Sequence, residues 1–133
     1  MAFNKNVNPQ WVHEPVTQEV INWCEEFGKY LTEDVKREDG KGIEIKAMTT
    51  TQLRKFFGEV KRIEMNRFKL SEFIMLNPLL AYAAGREKEK TKLKDFQEQM
   101  STVIREVKDE KDFKNFVNIF EAIVAYHKYY GGK

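Results

Sequence analysis

Apolar residues return every three or four positions through four long segments of this chain, a spacing that predicts helices. After Thr17, a candidate N-cap, the positions Val20, Ile21, Trp23, Cys24, Phe27, Tyr30, Leu31 and Val35 form a wide stripe. They predict a core-facing helix to about Lys36. Thr49, Thr50 and Thr51 offer capping hydroxyls to a second helix, which runs to about Arg67 and keeps Leu53, Phe56, Phe57, Val60 and Ile63 on one side. Leu70 to Leu76 is apolar, and a short helix is predicted from Pro78 to Ala84, stopped by Gly85. Leu79, Leu80, Tyr82 and Ala83 suit it to tight packing. A fourth helix spans about Glu87 to Val107, with Leu93, Phe96, Met100, Val103, Ile104 and Val107 inward. A fifth runs from about Asp112 to Tyr129, with Phe113, Phe116, Val117, Phe120, Ile123 and Val124 inward, and Gly131 and Gly132 release it.

The pattern predicts an all-α chain: a single helical domain over residues 1–133, a bundle of about five helices with no sheet. Ile43 and Ile45 alternate with charges, but one such short run does not make a sheet. Residues 1–15 form an irregular arm in which Pro9 and Pro15 bracket Trp11, Val12 and His13, a group suited to docking on the core. Residues 36–48 are polar and glycine-containing and read as a mobile connection, long enough to permit exchange of the first helix between two copies.

The polar side of the second helix changes this picture. Arg54 and Lys61 are seven apart, as are Lys55 and Arg62, so four cations line two turns of one surface, with Gly58 near its middle. A glycine inside a helix costs about 1 kcal/mol against alanine. Gly58 therefore marks either a close approach by something such as a phosphate backbone or a neutral position on a solvated face. The charge distribution agrees with a polyanion contact. Residues 1–48 carry 6 basic and 9 acidic side chains, residues 49–94 carry 11 and 5, and residues 95–133 carry 6 and 7. Glu87-Lys88-Glu89-Lys90 reads instead as a solvated, self-paired run.

Catalytic chemistry is hard to assemble from these residues. His13 and His127 have no second histidine or cysteine at ligand spacing, and Cys24 is the only cysteine. No glycine-rich phosphate loop is present. Asp34, Glu38, Asp39 and Glu44 fall in the connection, where ligands are not held. The expectation is no enzyme, no metal and no cofactor. His127 reads as a buried, hydrogen-bonded histidine or as a phosphate contact. With no apolar run near ~20 residues and no signal-peptide core, no membrane association and a cytoplasmic location are expected.

Three blocks also match a known family: Thr50-Thr51-Gln52-Leu53-Arg54-Lys55-Phe56-Phe57; Pro78-Leu79-Leu80-Ala81-Tyr82-Ala83-Ala84-Gly85-Arg86; and Phe113-Lys114-Asn115-Phe116 with Glu121-Ala122-Ile123-Val124-Ala125-Tyr126-His127-Lys128-Tyr129-Tyr130. In this order and spacing they resemble the small subunit of type III-A CRISPR effector (Csm) complexes, over about residues 49–130; residues 1–48 match poorly. The resemblance implies a non-catalytic helical subunit that self-associates, as a filament or a dimer, beside the other subunits of the complex. That filament would line the channel for guide RNA and target RNA. It carries RNA contact onto Arg54, Lys55 and Arg86, and onto His127 and Lys128; Lys61 and Arg62 join them from their place on the helix face. Tyr82 and Tyr126 read as core rather than base-stacking platforms, and Phe113, Phe116 and Phe120 as core. Two other readings stand beside this one: the small subunit of the type III-B complex, and a helical oligomerisation scaffold with no nucleic-acid contact. Basic side chains converging on one face favour RNA; the same side chains interleaved with acids favour the scaffold.

Overall fold

A computed structural model describes residues 3–133. Its helices are α1 (Gln18–Leu31), α2 (Thr50–Met65), α3 (Leu70–Phe73), α4 (Leu76–Gly85), α5 (Leu93–Ile104) and α6 (Glu110–Tyr129), and its strands are β1 (Val35–Lys36) and β2 (Ile43–Ile45). The predicted stripes face one shared core. Phe27, Phe56, Phe96, Phe113, Phe116 and Phe120 are all buried there, and Phe96 meets the Phe120 ring edge-on at 5.5 Å between centroids. The chain is thus mostly helical, as its periodicity predicts.

Three boundaries differ from the sequence reading. The first helix ends at Leu31, because Met48 N–H donates to the Leu31 carbonyl (2.9 Å) and the Thr32 hydroxyl donates to that of Lys29 (2.6 Å). Val35 then leaves the helix to pair with Ile45 in a small antiparallel sheet, so the expectation of no sheet is wrong. Its turn is made by Gly40 (φ 73°) and Gly42 (φ 118°), in the left-handed region that favours glycine. The sheet escapes a one-segment reading because each strand has two or three residues and is stable only through its partner and what it leans on. Here Lys46 N–H donates to the Lys90 carbonyl (2.9 Å), and Lys92 N–H returns a bond to the Lys46 carbonyl (2.8 Å).

That second attachment also shortens the fourth predicted helix, which starts at Leu93 instead of Glu87. Lys92, just before it, is 2% exposed, and its ammonium donates to the Tyr30 carbonyl (2.6 Å) while lying 3.7 Å from the centre of the Tyr30 ring. Burial holds its pKa below the usual lysine value. The apolar stretch before Pro78 is helical too, as α3, and α4 begins at Leu76 with Pro78 in its first turn.

At the other end, Pro9–His13 forms a 3-10 turn that seats Val12 in the core and sets Trp11 against Trp23. Asn115 in α6 donates to the Val12 carbonyl (2.9 Å). His13 lies between two carboxylates, its Nδ1 3.0 Å from Asp112 and its Nε2 2.9 Å from Glu106. The hydrogen bond to Glu106, and then that to Asp112, raise the His13 pKa above its ordinary 6.5, and His13 in turn lowers the Glu106 pKa from 4.5.

The tightest helix contact is between α1 and α6, at Gly28. A methyl group there would meet Tyr126 Cβ at 2.9 Å, His127 N at 3.0 Å and the Ile123 carbonyl oxygen at 3.1 Å. At Gly58 a methyl group would meet nothing within 4 Å. The same substitution is therefore expected to have opposite signs. Gly28→Ala should cost about 1–3 kcal/mol, since two of the obstructing atoms are backbone. Gly58→Ala should gain about 0.4–1 kcal/mol from helix propensity and lost unfolded-state freedom. Urea unfolding of the two variants checks this.

Stability should also depend on pH through the His13 clip. A raised histidine pKa contributes stability fully below its unfolded value, and that contribution is lost as pH rises through the folded pKa. The lowered Glu106 pKa contributes above its own unfolded value and is lost as pH falls through the folded one. The His13→Gln variant should thus be destabilised relative to the parent at about pH 5.5 and much less so at about pH 9. Equal urea-midpoint differences at both would contradict it.

Candidate nucleic-acid interface

The start of α2 is built by its own sequence. Thr49 and Gln52 form a reciprocal capping box: Gln52 N–H donates to the Thr49 hydroxyl (3.1 Å), and Thr49 N–H donates to the Gln52 side-chain oxygen (2.9 Å). The Gln52 amide nitrogen then reaches Glu87, just past α4, at 2.7 Å. Farther along, Arg62 reaches Glu72 beside α4's first turn. These two contacts make α2 and α4 antiparallel.

The register between α2 and α6 is set in the same way. Thr50 N–H donates to the Lys133 carbonyl (2.6 Å), the Phe57 ring stacks on Phe120 at 5.9 Å, and Lys61 lies 3.5 Å from Glu121. The helices are antiparallel, so a step of seven back along α2 matches a step of seven forward along α6. Seven back from Lys61 is Arg54, and seven forward from Glu121 is Lys128, so the acid of the first pair of positions gives way to a second cation.

Arg54, Lys55, Arg86 and Lys128 are exposed, and none has a carboxylate partner among the described residues. Gly58 lies between the two sides, on the outermost line of α2. Glu59, one turn on from Lys55, is held by Arg62 (3.1 Å). Lys61 and Arg62 are different. Lys61 bonds Glu64 at 2.6 Å as well as Glu121, and Arg62 bonds Glu59 and Glu72. These partners, Glu64 first for Lys61 and Glu59 first for Arg62, raise both pKa values. The two cations share the helix face with Arg54 and Lys55, but acids surround them. Such exposed pairs are screened by water and salt and add little to stability.

His127 lies elsewhere. It is 1% exposed, and its Nε2–H donates to the Met48 carbonyl (2.8 Å). Since a carbonyl only accepts, that nitrogen carries the proton. The ring closes the joint between α6 and the segment entering α2, and its burial leaves it no surface for a phosphate. Tyr82 departs from expectation in the opposite direction: it is 67% exposed, with the Arg86 guanidinium 5.9 Å from its ring centre. Its place on α4 has a sequence signal, since Leu76, Leu80 and Ala83 define the buried stripe and Tyr82 falls off it. Tyr126 is half-buried against the core.

Catalytic groups do not gather. The Asp34 carboxylate accepts from Ala47 N–H (2.8 Å) and Asp39 accepts from Lys41 N–H (2.9 Å), so both cap turns of the hairpin. No three metal-ligating side chains converge among the described residues. Burial pushes the Cys24 thiol up to about 12, far from a nucleophile's range.

Comparison with known proteins gives this surface a setting. The family model described as Csm2 Type III-A matches residues 16–133. The chain belongs to that family. It is 34% identical over 104 residues, 72% of this chain and 82% of the relative, to a protein of Streptococcus thermophilus named CRISPR system Cms protein Csm2. No solved structure matches. The Csm2 family is one of structural small subunits of type III-A complexes, so this chain's partners include the other subunits of such a complex. The match selects type III-A over the type III-B reading. It also extends through α1 and the hairpin, where residue blocks alone gave little resemblance. Among the described residues no helix is long and apolar enough to cross a membrane.

A structural role for His127 has a direct check. Replacing it by alanine in this Csm2 family member leaves the buried Met48 carbonyl without its donor, and should lower unfolding free energy by about 1–3 kcal/mol. Urea denaturation followed by circular dichroism measures it. An unchanged midpoint would return His127 to the list of surface groups.

Proposed function

We propose that this chain is a non-catalytic subunit of an RNA-guided type III-A interference complex that holds guide and target RNA by the phosphate backbone. The observation that supports the reading is that Arg54, Lys55, Arg86 and Lys128 are exposed and, among the described residues, pair with no carboxylate. Cations without a protein partner are available to a polyanion. Among the described residues no side-chain hydrogen bond fixes any of the four, so in this reading they supply charge without a code, and base identity is left to guide–target pairing. Lys61 and Arg62 would join only by exchanging glutamates for phosphates, which weak surface pairs permit.

One copy covers few phosphates, so strong binding would come from several copies side by side, in a filament or as dimers. The cytoplasm is the matching location. The scaffold reading keeps one observation in its favour: at Lys61 and Arg62 the charges are interleaved with acids, as on a purely solvated face.

The Arg54→Ala, Lys128→Ala double variant should weaken single-stranded RNA binding about equally for different sequences. Its log–log salt dependence should be shallower than the parent's by about 1.4, given about −0.7 for each phosphate neutralised. Fluorescence anisotropy at several salt concentrations reads both quantities, and the helical signal should be unchanged because both side chains are exposed. The scaffold reading expects no difference between the proteins. A folded double variant with the parent's affinity and slope would reject the proposed surface.

A further inference from the structure

Tyr82 presents a large aromatic ring to water on a helix whose other large apolar residues are buried, as Leu76 and Leu80, or partly buried, as Leu79. Arg86 lies one turn on, over the ring. Among the described residues no second ring stacks on Tyr82, its hydroxyl makes no hydrogen bond, and Arg86 has no carboxylate. On α2, Gln52 bonds Glu87 next to Arg86, and Arg54 and Lys55 follow it within one turn. A flat aromatic surface thus stands beside an unpaired cation, near the start of a helix that carries two more. A guanidinium and a phenol ring both stack on nucleobases, and stacking tolerates any base because every base has a π-face.

We propose that Tyr82 and Arg86 form a stacking platform for one unpaired nucleobase of single-stranded RNA, whose neighbouring phosphates are held by Lys55 and Arg54. This rests on the phosphate reading above and adds a ligand class to it. A base inside a duplex has both faces covered by its neighbours and cannot reach the ring. A base turned out of the stack can. The platform therefore selects unpaired nucleotides without selecting a sequence.

The test compares two labelled probes by fluorescence anisotropy at low salt: a uridine oligomer, and an abasic ribose-phosphate oligomer of the same length. The phosphates are alike; only one probe has bases. The parent should bind the uridine oligomer tighter by about fivefold or more. Tyr82→Ala should bind both probes as the parent binds the abasic one, with the parent's salt slope, and Tyr82→Phe should restore the preference. If the parent binds both probes equally and Arg54→Ala still makes the slope shallower, phosphate binding stands and the platform is wrong. Tyr82 would then be a contact for another protein chain. If the parent binds neither probe, the phosphate reading fails and takes the platform with it. The parent's ratio between the two probes decides the matter even if Tyr82→Ala does not fold.

Discussion

The 3-10 turn, α1 and α2 all pack on α6, because that helix is buried on more than one side along most of its length. Phe113, Phe116, Val117, Ile119, Phe120 and Ile123 all lie in the core. A helix so enclosed needs its neighbours close, and α1 comes closest, at Gly28, where even a methyl group lacks room. Enclosure also requires that its buried polar groups find partners, since an unpaired one costs about 1–3 kcal/mol. Asn115 and His127 find them in the carbonyls of Val12 and Met48. The polar groups of α6 thereby pin the arm at one end of the bundle and the entry to α2 at the other.

The surface follows from that pinning. With α2 and α6 antiparallel, the position of each acid along α6 decides which cations of α2 are neutralised. Glu121 meets Lys61, whereas one heptad farther on α6 carries Lys128 and leaves Arg54 without a partner. On the other flank Glu59 and Glu72 hold Arg62, while Glu87 is taken by the Gln52 amide and Lys55 pairs with no carboxylate among the described residues. The basic strip of α2 is thus divided along its length into a self-neutralised half and a half whose charge is free. The capping box that starts the helix also sets up the free half, because the same glutamine closes the cap and ties α2 to the end of α4.

Much of this is legible in the amino-acid order alone. Helix existence and the inward residues follow from spacing, because a stripe such as Leu53, Phe56, Val60 and Ile63 has only one way to leave water. The N-caps at Thr17 and Thr49 are equally local, each a side chain bonding a backbone amide three residues on. The family itself is written in blocks that keep their order along the chain.

Contacts between segments distant in sequence decided the rest. The hairpin of β1 and β2 depends on residues 90–92, far along the chain, and takes Val35 away from the helix that its hydrophobicity had extended. His127 has the same composition of neighbours whether buried or exposed, and only the passage of Met48 beside it makes it a core residue. Lys61 and Lys55 look alike on a helical projection, yet one pairs with two glutamates and the other, among the described residues, with none, its neighbour Glu59 being held by Arg62. Periodicity determines which side of a helix is wet; it carries no record of what the neighbouring helix sets against that side. Charge pairing acts through space over a few ångströms, so the sequence determined the helices, their buried faces and the family, and only the tertiary structure decided which cations remain free to meet an anion.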